Sequence, residues 1–267
     1  MSTILIGTSG YDYPEWKGVF YPPEVKRADF LSYYATQFNA LELNNTFYNM
    51  PTADKLNSFF ERSEGRLEFS IKANRLLTHE ISLLWINAAE DFKQALTPLL
   101  EKDKLCAVLF QFPQSFHYTN DNRIYLAKMI AAFEGFPVVI EFRHKEWIRE
   151  SVFEGLLERN VSLAFCDMPE LKYLPTSVVS ASSTTCFIGP NAYIRLHGRN
   201  ADAWYSTDPQ GNGSARYDYN YSDEELEKFV PVIKAAVKEG RKAQVFFNNH
   251  PQGNGAKNAK TLKSLLN

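Results

Sequence analysis

Eight short runs of apolar, β-branched or aromatic residues recur along the chain, each bounded by polar residues. They are Ile4 to Gly7, Ala40 to Asn44, Glu68 to Lys72, Leu105 to Phe110, Val138 to Phe142, Val161 to Cys166, Ala192 to His197 and Ala243 to Asn248. Most intervals between them carry apolar residues at helical spacing, over 23–38, 52–64, 80–102, 121–134, 146–159, 223–239 and 256–266. Strands that alternate with helices predict parallel pairing through right-handed crossovers. Ser222-Asp223-Glu224-Glu225 predicts a capping box at the head of the helix over 223–239. The interval 168–190 differs, because Pro169, Pro175 and a Ser/Thr run leave no helical period, and it predicts irregular structure. No linker, charge block or repeat divides the 267 residues. The pattern therefore predicts an α/β fold in which residues 1–267 form one (β/α)8 TIM barrel with an irregular sixth βα interval, rather than a doubly wound sheet with a second domain.

Charge and cysteine usage narrow the function classes. With 29 Lys and Arg against 31 Asp and Glu, the chain has no global field to attract nucleic acid or anionic lipid. Cys106, Cys166 and Cys186 are far apart, which suits reduced thiols better than a disulfide framework or a zinc finger. No basic-then-apolar leader and no run of about 18 apolar residues is present, so the expectation is a cytoplasmic protein with no membrane partner.

Side-chain alternation along the strands points to one face. If Leu41 and Leu43 meet the helices, Glu42 and Asn44 point inward. The same rule places Lys72, Gln111, Glu141, Arg143, Arg195, His197 and Asn248 inside the mouth at the C-terminal strand ends, with Ser9 and Asp167 ending the first and sixth strands. Charges inside a barrel are costly alone. Three carboxylates (Glu42, Glu141, Asp167) and three cations (Lys72, Arg143, Arg195) should therefore pair with one another or with a ligand.

These positions fall within a set of motifs spread over the whole chain. Thr8-Ser9-Gly10-Tyr11 is followed by Trp16, Gly18 and Phe20-Tyr21-Pro22. Then come Leu41-Glu42-Leu43-Asn44-Asn45-Thr46-Phe47-Tyr48, Lys72 with Arg75, Thr78 and His79, and Phe110-Gln111-Phe112-Pro113. Glu141-Phe142-Arg143-His144 with Trp147, Arg195-Leu196-His197-Gly198-Arg199, and Asn248-Asn249 through Ala256 to Asn258-Ala259 complete the set. Together they resemble the YecE-like family (domain of unknown function 72). The resemblance implies a (β/α)8 barrel and brings no established reaction with it.

Several chemistries fit the strand ends. The loops after the seventh and eighth strands commonly hold phosphate in barrels, and here they carry Arg199, Asn249, Gly253 and Gly255 before a helix. With Arg195 and Lys72 they predict a ligand that is an anionic, even phosphorylated, or sugar-like small molecule. Glu42 and Glu141 are candidates for an acid and base pair across the mouth, and His197 is the histidine best placed for proton transfer, as in a hydrolase or isomerase. Trp204, Tyr205 and Tyr217 lie in the segment 200–221, whose Gly211 and Gly213 and aromatic content suit a lid. His79, His144, His197, His250, Glu42, Glu141 and Asp167 could supply metal ligands, but cations in the same ring would repel a divalent ion, so no metal is expected and the cofactor stays unassigned. Cys166 reads as a small buried apolar residue. Two rival readings remain: a nucleic-acid phosphodiesterase or repair activity, with nucleic acid the less favoured partner, and a non-catalytic ligand-binding barrel.

Overall fold

The structure is a computed structural model that describes residues 4–176, 187–206 and 214–267. Nine strand segments appear in it: β1 (Ile4–Thr8), β2 (Ala40–Leu43), β3 (Glu68–Lys72), β4 (Leu105–Phe112), β5 (Val138–Phe142), β6 (Ser162–Leu163), β7 (Phe165–Asp167), β8 (Asn191–Leu196) and β9 (Lys242–Phe247). The helices are α1 (Phe30–Gln37), α2 (Ala53–Arg62), α3 (Trp85–Glu101), α4 (Asn120–Ala132), α5 (Glu150–Glu158), α6 (Asp223–Glu227), α7 (Phe229–Lys238) and α8 (Asn254–Leu266).

All strand pairs are parallel, in one sheet ordered β1-β9-β8-β7 and another ordered β2-β3-β4-β5-β6. The expected alternation of strands and helices with parallel pairing is therefore present. Two details depart from the expectation of eight uniform units. The sixth run is broken at Ala164 into β6 and β7, and among the described residues no helix follows β7. Residues 168–176 and 187–190 are irregular, as the prolines predict. Cys186, Gly211 and Gly213 lie outside the described residues.

Alternation sorts two apolar layers. Leu41, Leu43, Phe69, Ile71, Phe110 and Ile140 belong to the large cluster shared with the helices. A second, smaller cluster is drawn from strands of both sheets: Leu5, Ala40, Leu109, Val139, Tyr193 and Phe246. The polar residues at the C-terminal strand ends lie just beyond this second layer.

Side chains carry part of the join between β1 and β2, which belong to different sheets. The Asn39 amide accepts the Ile6 N–H at 2.8 Å and donates to the Ile4 carbonyl at 2.9 Å. The Tyr34 hydroxyl accepts the Thr8 N–H at 2.8 Å and donates to the Ala40 carbonyl at 3.0 Å. Gly7 permits this approach, because a Cβ there would collide with the Ala40 carbonyl. Further along, Gly10 N–H donates to the Glu42 carbonyl at 2.8 Å.

Candidate functional site

Glu42 ends β2, Glu141 lies on β5 and Arg195 on β8, and all three are fully buried. Arg195 bridges the two carboxylates. Its Nε and Nη2 donate to Glu42 at 2.9 and 2.6 Å, and its Nη1 donates to Glu141 at 2.7 Å. Tyr193, two residues earlier on the same strand face, donates its hydroxyl to Glu42 at 2.7 Å and pairs with Ser70 at 2.6 Å. Burial opposes the charge of Glu42, but Arg195 outweighs it and holds the carboxyl below its ordinary range. Burial likewise opposes the charge of Glu141, and Arg143 and Arg195 together hold it well below. Both are acceptors locked to guanidinium groups, an arrangement that cannot exchange a proton near neutrality.

Above this pair lies Arg143, whose Nε donates to Glu141 and whose Nη2 lies 3.1 Å from His197 Nε2. The side-chain amide of Asn248 lies 3.0 Å from the other ring nitrogen, Nδ1. Both nitrogens of His197 are thus engaged, and the ring is fully buried. Burial first, then the Arg143 charge, pushes its pKa down to about 3. A neutral, doubly bonded imidazole positions Arg143; it has no lone pair to offer a substrate. The proton-transfer role expected of His197, and the acid and base roles expected of Glu42 and Glu141, find no accessible group here.

Lys72 behaves differently. It ends β3 half-buried, with its ammonium nitrogen 4.3 Å from the centre of the Phe47 ring. Among the described residues no carboxylate lies within ion-pair distance of it. Burial, then the charge of Arg195, lowers its pKa to about 7. Beside it, Asn44 at the end of β2 has a buried side-chain oxygen without a hydrogen-bond partner among the described residues. Gln111 is half-buried, with its amide donating to the Phe112 carbonyl at 3.0 Å.

One residue expected in this ring is elsewhere. Because Cys166 takes the inward position next to Glu141 and His197, Asp167 faces outward. There it accepts Arg199 Nε and Nη2, each at 2.9 Å, and the Tyr221 hydroxyl at 2.7 Å. Arg199 Nη1 donates to Glu225 at 2.9 Å. Glu225 also closes the expected capping box with Ser222, so the head of α6 and the end of β7 share one network. Arg195 and Arg199, expected to bind an anionic ligand, are both hydrogen-bonded to carboxylates of the chain itself.

The glycine-rich turn is also filled. Gly253 adopts φ +71° against Val19 and Trp16, and Gly255 packs on Asn249. Asn249 donates to the Tyr219 carbonyl at 2.9 Å and to Asn258 at 2.8 Å, so it pins the chain before α6 onto α8. The head of α8 is thus packed rather than open to a phosphate.

Of the expected lid residues, Trp204 is 2% exposed and packs with Cys166, Met168 and Leu174, with the Arg143 guanidinium 5.8 Å from its ring centre. It packs over the Arg143 side of the network. Tyr217 is half-buried, its ring 6.0 Å from those of His197 and His250. Tyr205 is 58% exposed, and its hydroxyl accepts Gln114 Nε2 at 3.2 Å, linking the loops after β8 and β4.

Potential metal-ligating atoms converge twice among the described residues. Glu141, Cys166 and His197 form one group, and His117, His144 and Glu146 the other. The first has Arg143 and Arg195 as neighbours, and burial and then Glu141 push the Cys166 thiol well up. That leaves a protonated thiol rather than a nucleophile or a ligand. In the second, His144 Nδ1 accepts the Glu146 N–H at 3.3 Å and Glu146 accepts the Tyr118 N–H at 3.2 Å. Tyr193, Ser70 and Phe47 were missed by sequence reasoning. Tyr193 was legible, since it shares the face of Arg195 by the same two-residue alternation; Phe47 was not, because it reaches Lys72 from a short turn after β2.

A family profile described as "Protein of unknown function DUF72" matches residues 5–267. The UPF0759 protein YunF of Bacillus subtilis (strain 168) is 29% identical over 237 residues, covering 84% of this chain and 80% of that protein. The crystal structure of a DUF72 family protein from Thermotoga maritima MSB8 superposes with a TM-score of 0.85 at 32% identity, covering 98% of both chains. One from Enterococcus faecalis V583 shares the fold, with a TM-score of 0.81 at 23% identity over 98% of this chain and 95% of the other. The profile match spans every strand end described above, and the chain belongs to the DUF72 family of proteins of unknown function.

Proposed function

We propose that this chain is a single-domain (β/α)8 barrel enzyme that takes an anionic, hydroxyl-bearing small molecule at the C-terminal ends of its strands. Closure of the two sheets into one barrel is supported by the pairing of β1 with β9 and by the Asn39 and Tyr34 bridges to β2. It is also supported by the inner apolar layer that both sheets share.

The observation that carries the ligand class is a charge imbalance. Glu42 and Glu141 face Arg195, Arg143 and Lys72, while Asp167, which would have balanced the set, is turned outward to Arg199. One cation is left over, and it is the half-buried one without a carboxylate. An incoming anion restores neutrality in a site where an unbalanced charge is expensive. Asn44 and Gln111 offer amide groups for hydroxyls at the same level of the mouth.

Inorganic phosphate and sugar phosphates at tens of millimolar should raise the melting temperature of the wild type by mass action on the folded state. Lys72→Met should lose that rise while folding normally. An equal rise in both proteins, or none in the wild type, would remove the anion from the reading. A rise with single-stranded oligonucleotides alone would transfer the site to nucleic acid.

A further inference from the structure

We infer that Lys72 is the reacting group of this site and forms an imine with the carbonyl carbon of an oxo-acid or sugar phosphate. The inference rests on the ligand class proposed above and deepens it from binding to chemistry. Its ground is geometric: an amine ending a central strand, half-buried against the Phe47 ring, with no carboxylate in ion-pair contact among the described residues. The two acids nearest to it are already taken by arginine. The charged groups around it are Arg195, Glu141, Arg143 and Glu42, with His79 at the rim. An amine desolvated next to guanidinium groups gives up its proton near neutrality, and only the neutral form has a lone pair to share.

The step balances within the site. The Nζ lone pair forms the C–N bond while the carbonyl π pair moves to oxygen, which takes a proton. Loss of that oxygen as water, with the protons carried on nitrogen, leaves a C=N double bond. An anionic group on the same substrate would satisfy the surplus charge, which selects oxo-acids and phosphorylated aldehydes or ketones over neutral carbonyl compounds. Glu42, Glu141, Arg195 and His197 are fully buried and held in hydrogen bonds, whereas Lys72 is half-buried with no ion pair among the described residues.

The test uses the full chain with pyruvate, glyceraldehyde 3-phosphate and, as a small neutral control, acetaldehyde, each with sodium cyanoborohydride at pH 7. Peptide mapping should place one reduced adduct on Lys72 ahead of all exposed lysines, at lower concentrations of the two anionic probes than of acetaldehyde. Inorganic phosphate should slow the reaction of the anionic probes. Lys72→Arg should lose that adduct and keep the phosphate-dependent rise in melting temperature. Labelling of Lys72 no faster than that of exposed lysines, with all three probes, would overturn the imine while leaving anion binding intact. Loss of the phosphate response in the wild type would instead take away the reading beneath it.

Discussion

Arg195 is the residue on which the interior charges depend, since it supplies three hydrogen bonds to two carboxylates in a space closed to water. Arg195→Met would leave Glu42 and Glu141 both buried and lacking their shared cation. The expected loss is about 3–5 kcal/mol, the cost of stripping one partner from a buried ion pair. Glu42→Gln leaves Arg195 still paired with Glu141 and keeps an oxygen for Tyr193, so its cost should be smaller, about 1–3 kcal/mol. Urea unfolding of the two variants checks the ranking, and equal losses would mean that the network is not centred on the arginine. Alternation read from sequence placed Glu42, Glu141 and Arg195 on one inner face, and there they meet. Asp167 was grouped with them because it ends its strand, but Val161, Leu163 and Phe165 pack on the helix side and Asp167 follows the same alternation outward.

At the level of elements, the β1–β2 seam joins the two sheets largely through side chains. Strand pairing elsewhere uses backbone ladders, whereas here one amide and one phenol supply four of the bonds. Asn39→Ala should cost about 1–3 kcal/mol by leaving the buried Ile6 N–H without its acceptor. It should also speed hydrogen exchange at Ile6 relative to the β1–β9 ladder. Gly7→Ala should be more damaging, because the added methyl meets a backbone carbonyl that cannot move without displacing β2. Unchanged exchange at Ile6 in Asn39→Ala would show that the side chain only decorates the seam. The capping box at α6 was legible because its spacing is local; the Arg199 and Tyr219 contacts to the same Glu225 were not, because they arrive from the loop after β8.

For the whole molecule, bases whose pKa values are lowered on folding shape the pH dependence of stability, His197 and Lys72 among them. His197 has its pKa lowered to about 3, and an unfolded histidine titrates near 6.5. Between those values the unfolded chain binds the extra proton, so stability falls as pH drops from about 6.5 toward 3. Lys72, lowered to about 7 against about 10.4 unfolded, acts in the same sense higher up, so stability should rise as pH climbs from about 7 to 10. Each group contributes up to about 1.4 kcal/mol per pH unit within its window. Denaturant unfolding from pH 7 to 9 should show this rise in the wild type and not in Lys72→Met, which should be the more stable protein at pH 7. Glu42 and Glu141 add stability that is present above the ordinary carboxylate range, near pH 4.3, and is lost as pH falls through their depressed values.

The sequence by itself determined the strands, the helices between them, their parallel pairing and the inward set Glu42, Lys72, Glu141, Arg143, Arg195, His197 and Asn248. These follow from periodicities of two and 3.6 residues, which act over a few neighbours and are written in the order of residues. Only the tertiary structure decided which charges cancel. Arg195 is spent on Glu42 and Glu141, Arg199 on Asp167 and Glu225, and the glycine turn before α8 is filled by Val19 and Trp16. Each of these pairings joins residues far apart in the chain, at distances fixed by how the strands register and how the loops return to them. Because Coulomb energy and desolvation depend on those distances, the position of Lys72 beside arginines, with both nearby carboxylates already taken, is set only in the folded molecule.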